Sequence, residues 1–383
     1  MPNLILVVLT ILLNDLAAAD AFWQSSQPTA ASANTAPVMK TGAAFLTGYT
    51  LAPKEDGFLR FGVAWPHPRF RDNNNGTVTD NATGLLWLKN SNAFGRRSWA
   101  QALNDCAALA SGAAGLSDGS TSGQWRLPNR KELMSLMDNG RISQSLPSGQ
   151  PFSSVQSDFY WSSTSNAGNT VNAWSVNFFN FGWVSPSAKT TAYYAWPVRN
   201  LMAAIAPTPV PATGAGDLSA YVLNAREDGM TKLGVVWPNP RFTNNNNGTV
   251  TDNLTKLVWL RNANAAGTNK TWANALAYCS ALANGQAGLT DGSTLGQWRL
   301  PNVKELESLV CLGYNSPSLS NTAGTAKWTA GDPFSSVQSS NYWTSTSYAG
   351  STSNAHNISL TDGSINVTDK NNGGFTWAVR AGP

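Results

Sequence analysis

The sequence predicts an α+β protein built from two tandem copies of one domain, and three observations carry that prediction. First, "EDGFLRFGVAWPHPRFRDNNNGTVTDNATGLLWLKNSN" from Glu55 returns as "EDGMTKLGVVWPNPRFTNNNNGTVTDNLTKLVWLRNAN" from Glu227, and "QWRLPN" at Gln124–Asn129 returns at Gln297–Asn302. Each copy is about 150 residues, too long for a solenoid unit and the size of a domain. Second, within a copy the apolar residues follow two periods, β-branched alternation in some stretches and helical spacing in others. Third, only 12% of residues are charged while Trp reaches 16, which suits a turn-rich, strand-containing protein whose aromatics supply much of the buried area.

From the first residue onward, the run from Leu4 to Leu13 followed by Ala17, Ala18 and Ala19 reads as an export signal over residues 1–19. That run is too short to span a bilayer, and no later stretch approaches spanning length. Residues 20–47, rich in Ala, Ser and Thr, read as a disordered lead-in. Copy 1 occupies 48–203 and copy 2 occupies 221–383. Between them, 204–220 form a linker that the prolines of "APTPVPATGAG" hold extended and semi-rigid. Because each copy carries its own set of motifs, each is expected to fold alone.

Inside a copy, "NNNGTVTDN" at Asn73–Asn81 combines turn residues with alternation, so it opens a hairpin whose next strand is "GLLWLKN". After Ser98, the residues Trp99, Ala102, Leu103, Cys106 and Leu109 fall at helical spacing, with Gly112 as a stop. Thr271 and "WANALAYCSALANG" repeat the design. In "RLPNRKELMSLMD", Asn129 is an N-cap and Glu132, three residues on, completes a capping box. Leu133, Leu136 and Met137 then face the core, as do Leu306, Leu309 and Val310, and Trp125 is a core anchor.

The order "DNNNGTVTDN…GLLWLKN", "SWAQALNDC", "WRLPNRKEL", "FSSVQSDFYWSSTS" and "AWPVR", present twice between Gly48 and Arg380, resembles the Lcl C-terminal domain family. That family takes its name from a collagen-like bacterial surface adhesin and belongs with the C-type lectin-like folds. The resemblance implies two tandem C-type lectin-like domains, each with two amphipathic helices and twisted antiparallel strands, exported and used to bind an extracellular glycan or protein ligand. In the naming adhesin the ligand class is sulfated polysaccharide.

Little in the sequence points to catalysis or a cofactor. The ionisable residues shared by both copies are Glu55/Glu227, Asp56/Asp228, Arg69/Arg241, Asp80/Asp252, Asp118/Asp291, Arg126/Arg299, Lys131/Lys304, Glu132/Glu305 and Arg199/Arg380, at turns, caps and strand ends. His67 and His356 have no His counterpart in the other copy, which weakens a His-based acid/base or metal site. Cys106 and Cys279 are equivalent positions on the buried face of the first helix, whereas Cys311 aligns with Asp138. In an oxidising compartment Cys279 and Cys311 are a candidate disulfide across the two helices. "RDNNNGTVTDN" is rich in side-chain oxygens, but the EF-hand order fails, because Arg71 stands five residues before Gly76. The triplets with which C-type lectins hold calcium and sugar are not present. A formal charge of +4 without a basic stripe argues against nucleic acid.

If shared residues build the fold, ligand contacts belong where the copies differ. Between "YWSSTS" and "AWPVR", Trp174, Val176 and Phe178 alternate on a core face matched by His356, Ile358 and Leu360. Phe179, Phe181 and Trp183 then cluster at a hairpin tip where copy 2 has Thr361, Asp362 and Ser364. They are either a ligand platform or side chains tucked beneath neighbouring loops. Arg96 and Arg97, with Arg130 and Arg141, either favour an acidic glycan or are dispersed surface charge. The function read from this is an exported, non-enzymatic binding protein, adhesin-like or glycan-binding, secreted, periplasmic or at the cell surface; the alternative is a structural or assembly component of the envelope acting through protein partners.

Overall fold

Each copy arranges the same elements in the same order. The structure is a computed structural model and describes residues 35–43, 49–179, 183–200, 206–216 and 221–382. The expected leader and most of the lead-in lie outside these. Copy 1 runs α1 (Asp56–Leu59), β1 (Phe70–Asp72), β2 (Thr77–Asp80), β3 (Leu85–Leu88), α2 (Trp99–Ala108), α3 (Arg130–Ser135), β4 (Phe159–Ser165), β5 (Asn172–Asn177), β6 (Val184–Ala188) and β7 (Val198–Asn200). Copy 2 repeats this as α4 (Asp228–Thr231), β8 (Phe242–Asn244), β9 (Thr249–Asp252), β10 (Val258–Leu260), α5 (Trp272–Ser280), α6 (Val303–Ser308), β11 (Asn341–Ser347), β12 (Asn354–Ser359), β13 (Ile365–Asp369) and β14 (Val379–Arg380). The result is α+β, sheet-rich and repeated.

Local chemistry fixes these elements as the patterning predicts. The hairpin β1–β2 and the β2–β3 pair form with Phe70 opposite Asp80 and Thr77 opposite Leu88, and β7 closes the sheet against β3. The turn before β2 needs Gly76 at φ +82°, and a Cβ there would meet the Gly115 carbonyl oxygen at 2.3 Å. Helix α2 buries Trp99, Ala102, Leu103 and Cys106. It ends at Ala108, short of Gly112, because the loop takes over its last carbonyls: Gly123 N–H donates to Ala107 and Leu109 N–H to Cys106.

The repeated hexapeptide proves architectural at every position that can be traced. Trp125 is fully buried and donates its indole N–H to the Ser120 hydroxyl at 3.0 Å. Leu127 is core, and the Pro128 carbonyl accepts from Ser163 at 2.8 Å. Asn129 caps α3 by accepting from Glu132 N–H at 2.9 Å, while the Glu132 carboxylate accepts from Asn129 N–H at 2.8 Å. The Arg supplies what patterning does not reveal: Arg126 grips both oxygens of that same carboxylate at 2.7 and 2.6 Å, and Arg299 grips Glu305 likewise at 2.6 Å.

The two copies are not separate bodies. The sheets β4–β5–β6 and β11–β12–β13 meet edge to edge, with Val184 opposite Ile365, giving a six-stranded sheet in the order β11-β12-β13-β6-β5-β4. A contiguous hydrophobic cluster draws on both copies. The segments preceding each copy's first sheet are also exchanged. Asp56 accepts from Thr346 of copy 2 at 2.7 Å, Glu55 from Ser347 at 2.6 Å, and the Phe61 carbonyl from Asn302 at 3.3 Å. Reciprocally, Asp228 accepts from Thr164 of copy 1 at 2.7 Å, Glu227 from Ser165, and the Leu233 carbonyl from Asn129 at 3.2 Å. A register shift in β4 and in β11 displays the receiving hydroxyls. Each such Thr also accepts from the backbone of the helix it caps, Thr164 from Arg130 and Thr346 from Val303.

Two expectations need correcting here. Residues 35–43, placed in a disordered lead-in, are ordered: Met39 bridges to Val63, Ala36 N–H donates to the Leu254 carbonyl of copy 2 at 2.8 Å, and Ala36, Met39 and Thr41 are buried. Composition underestimates this order because the partner surface lies more than 200 residues away, in the other copy. Independent folding of each copy also sits poorly with a shared core and exchanged arms, since either copy alone would expose the surface its partner's arm covers.

Candidate functional site

The hairpin joining β5 to β6 is anchored on its inner side and open on its outer side. Phe178 is fully buried and meets the Tyr160 ring edge-on at 5.1 Å, so the strand's core face holds the tip in place. Backbone bonds fix the neck: Asn177 N–H donates to the Trp183 carbonyl at 2.9 Å, and Ser143 N–H to the Phe179 carbonyl at 2.9 Å. The Asn177 side chain accepts from Phe179 N–H at 2.8 Å. Beyond that neck Phe179 is 47% and Trp183 43% exposed. Both rings thus keep an exposed face. Phe181 lies outside the described residues.

The neighbouring loop enlarges the apolar surface. Ile142, half exposed, precedes the Ser143 that bonds to Phe179. A cleft of about 360 Å³ lies within this loop, walled by residues from Arg141 to Gln150. Sequence comparison passes over Ile142, because this loop does not align residue for residue between the copies.

The copy 2 tip is built for another purpose. Ser364 N–H donates to the Asp362 carboxylate at 2.9 Å and Gly363 N–H to the Ser359 carbonyl at 2.7 Å, which closes the turn on itself. The Gly363 carbonyl then accepts from Arg130 of copy 1 at 2.5 Å. That tip serves the seam, whereas the copy 1 tip offers rings to solvent.

The four arginines divide. Arg96 is 51% exposed by side chain, pairs with Asp158 and lies over the Tyr194 ring at 5.3 Å. Because the Asp158 carbonyl accepts from Phe178 N–H at 3.0 Å, Arg96 stands at the same end of the sheet as the tip. Arg97 turns instead to helix α2, with Nε 2.6 Å from the Asp105 carboxylate, and is not brought to the rings. Arg141 pairs with Asp138 at 3.3 Å beside Ile142. Arg130 is not surface charge at all: it is fully buried, stacked 4.3 Å from the Trp174 ring, because it fills the seam.

The candidate disulfide is also corrected. Cys106, Cys279 and Cys311 are all free and buried. Cys311 points its thiol at the Gly214 carbonyl, 3.7 Å away in the inter-copy segment, while Cys279 packs within the core under α5. Burial pushes the Cys106 and Cys279 thiols far above the ordinary range and Cys311 to about 11, so at neutral pH none is a thiolate nucleophile. Burial also pushes His356 down to about 3, leaving a neutral imidazole against Tyr348 in the core.

Most of the remaining shared ionisable groups are engaged in holding the fold. Arg69 pairs with Asp80, Arg241 with Asp252, Arg199 with Asp118 and Arg380 with Asp291. In the Asn-rich turn, Asn73 donates to Thr77 and Thr79 while Asn75 accepts from Thr77, so its amides are used internally. Among the described residues, no group of three or more His, Cys, Asp or Glu side chains is placed to hold a metal ion.

One polar feature escaped the sequence reading. In copy 1, Lys89 and Asp72 form an ion pair at 2.6 Å beside the Asn-rich turn. In copy 2 the same positions are Arg261 and Asn244, and Arg261 turns its Nε to the Pro333 carbonyl at 3.1 Å. A polar cleft of about 500 Å³ opens there, lined by Asn244, Asn246, Arg261, Asn262 and Ser335. The exchange of Asp72 for Asn244 in the aligned repeats is the signal that would have found it.

Comparison with known proteins adds the family. The model of the Lcl C-terminal domain matches residues 76–199 and again 248–380. The chain belongs to the Lcl C-terminal domain family. Both matches begin at the turn glycines, Gly76 and Gly248, and end at the Trp-stacked arginines, Arg199 and Arg380, so the exchanged arms fall outside the matched regions of this tandem Lcl C-terminal protein. No curated protein matches it. Among the described residues, no helix is long and apolar enough to cross a membrane.

Proposed function

We propose that this protein is an exported, non-enzymatic binding protein, adhesin-like or glycan-binding, whose ligand platform is the copy 1 tip on a C-type lectin-like scaffold. The observation that carries the reading is the pair of exposed rings, Phe179 and Trp183, held out by a neck whose inner residue is core. In the equivalent place copy 2 closes on itself. Exposed aromatic faces stack on the apolar faces of sugar rings or anchor a partner's side chain. Arg96 and Arg141 at the rim add donors suited to an acidic group, although each already has a carboxylate partner. Non-enzymatic function is supported by the pairing of most of the shared ionisable groups and by thiols that stay protonated.

The test is a glycan array probed with the protein lacking residues 1–19, alongside a variant carrying Phe179→Thr, Phe181→Asp and Trp183→Ser. Selective binding by the parent that the variant loses supports the reading. Binding that survives the exchange moves the site, with the polar cleft of copy 2 as the next place to look. Failure to bind any glycan, together with tip-dependent capture of an envelope protein, supports the assembly reading instead.

A further inference from the structure

The seam between the copies holds a partly open cavity of about 90 Å³. Both copies and both exchanged arms line it, among them Met39, Met134, Val210 and Ile365, and its walls are mainly apolar. Lys131 on α3 and Lys304 on α6, related by the repeat, also reach it. The two lysines differ in one respect. Lys304 donates to the Lys40 carbonyl at 3.2 Å and to the Met137 carbonyl at 3.1 Å. Lys131, 4% exposed, has no hydrogen-bond partner, and the Trp237 ring it faces is 5.9 Å away. The Ala212 carbonyl, which occupies the place of Lys40's, accepts from Trp237 at 2.9 Å but not from Lys131.

A buried ammonium without an acceptor is costly, and the usual remedy is a partner of opposite charge. The wall's own carboxylate, Glu307, supplies it only in part: it attracts Lys131 without hydrogen-bonding to it, lies 4.0 Å from Arg130, and has one oxygen that also lacks a hydrogen bond. Water can answer the polar atoms of the wall, among them the unbonded Asn139 amide and Glu307 carboxylate oxygens, but not the methionine, valine, proline and isoleucine side chains that supply most of its surface. A molecule with one anionic head and a short apolar tail satisfies both the ammonium and the wall.

We propose that this cavity is a binding site for a short-chain monocarboxylate, its carboxylate on the Lys131 ammonium and its tail against Met39, Met134, Val210 and Ile365. The volume is below the ~150 Å³ of an engineered cavity that takes benzene, which favours a tail of about three carbons. The site needs both copies, so it exists only in the intact tandem.

Butyrate is the probe, titrated into the full chain with ¹³C-labelled methionine methyl groups. The expected result is saturable shifts of the Met39 and Met134 methyls, with n-butanol and n-butylamine at least tenfold weaker because neither carries an anionic head. Lys131→Met should weaken butyrate at least tenfold, and Val210→Phe, which fills the cavity and keeps the ammonium, should block it. If Lys131→Met does not fold, the headgroup series and Val210→Phe decide the matter. Equal binding of butanol and butyrate, unchanged binding in Lys131→Met, or no saturable shift by any probe would each overturn the proposal; the last would leave the cavity to water.

Discussion

Copy 1 and copy 2 agree where side chains hold the fold and part where they face solvent or the seam. The buried pairs Arg126–Glu132 and Arg299–Glu305 match almost atom for atom, as do the capping boxes and the bulge hydroxyls that receive the exchanged arms. The tips do not match: one exposes aromatic rings and the other delivers a carbonyl to Arg130. Nor do the twin lysines, one with two carbonyl partners and one with none. Duplication thus separates two kinds of constraint within one chain. A residue kept in both copies with the same partners answers to the fold, and a divergence in residue or in partner marks a position free to take a role.

Separating the copies is the strongest way to break the comparison. Fragments 35–200 and 206–383 each keep an arm shaped for the other body, so alone each should either melt without cooperativity or pair with a second copy of itself by the same exchange. Mixed, they should form a 1:1 complex that melts close to the intact chain. Sedimentation and calorimetry read the outcome, and two monomeric fragments that each melt like the parent would show the seam to be dispensable.

The next effect is at the hexapeptide. Loss of a cap alone costs about 0.5–2 kcal/mol. Here Glu305→Ala also strands the deeply buried Arg299, so the cost should rise to about 3–5 kcal/mol, whereas Glu132→Ala should cost less because Arg126 is partly exposed and keeps its bond to Asn200. Double variants that also remove the arginine should recover part of the loss in denaturant melts. A cost confined to the cap range would mean that the ion pair contributes little.

A third test reads the arms through pH. Burial raises the Asp56 and Asp228 carboxyls from 3.8 to about 6, against the opposing pull of their threonine hydroxyls. A carboxyl raised by folding contributes stability that is fully present below its unfolded pKa and is lost as pH rises through the folded one. Between pH 4 and pH 7 each should therefore forfeit on the order of 2–3 kcal/mol. Asp56→Asn with Asp228→Asn should flatten that slope, gaining on the parent as pH rises. Lys304, pushed down to about 7 by burial, titrates mostly above the window and is common to both proteins. Parallel pH profiles for parent and variant would show that the arms bind without strain on these carboxyls.

Much of this fold could be read directly from residues. Asn129 and Glu132 announce the helix start, and the alternation through Trp174, Val176 and Phe178 marks a core face that is indeed buried. Glu55–Asp56 and Glu227–Asp228 could be recognised as shared but not placed, because their partners lie 62 to 292 residues away in the opposite copy. Long-range exchange leaves no local periodicity, and composition alone makes residues 35–43 look unstructured. At the candidate site the rings could be located by comparing copies, but Arg96 and Arg97 could not be told apart. Adjacent in sequence, they diverge only because one side chain meets Asp158 and the other meets Asp105.

That divergence frames the smallest and sharpest test. Both ion pairs are at least partly exposed, so Arg96→Ala and Arg97→Ala should each change stability by no more than about 1 kcal/mol. Binding should distinguish them. Arg96 reaches the tip's end of the sheet through Asp158, whose carbonyl holds Phe178, whereas Arg97 lies along α2. If the ligand carries acidic groups, removing Arg96 should weaken it and flatten the salt dependence of its affinity, since an exposed charge contact is screened over a Debye length of about 8 Å at 0.15 M ionic strength. Removing Arg97 should change neither. Equal losses from both variants would place the ligand along the α2 side rather than on the rings. A salt-independent affinity that neither variant alters would leave Phe179 and Trp183 to hold the ligand by stacking alone.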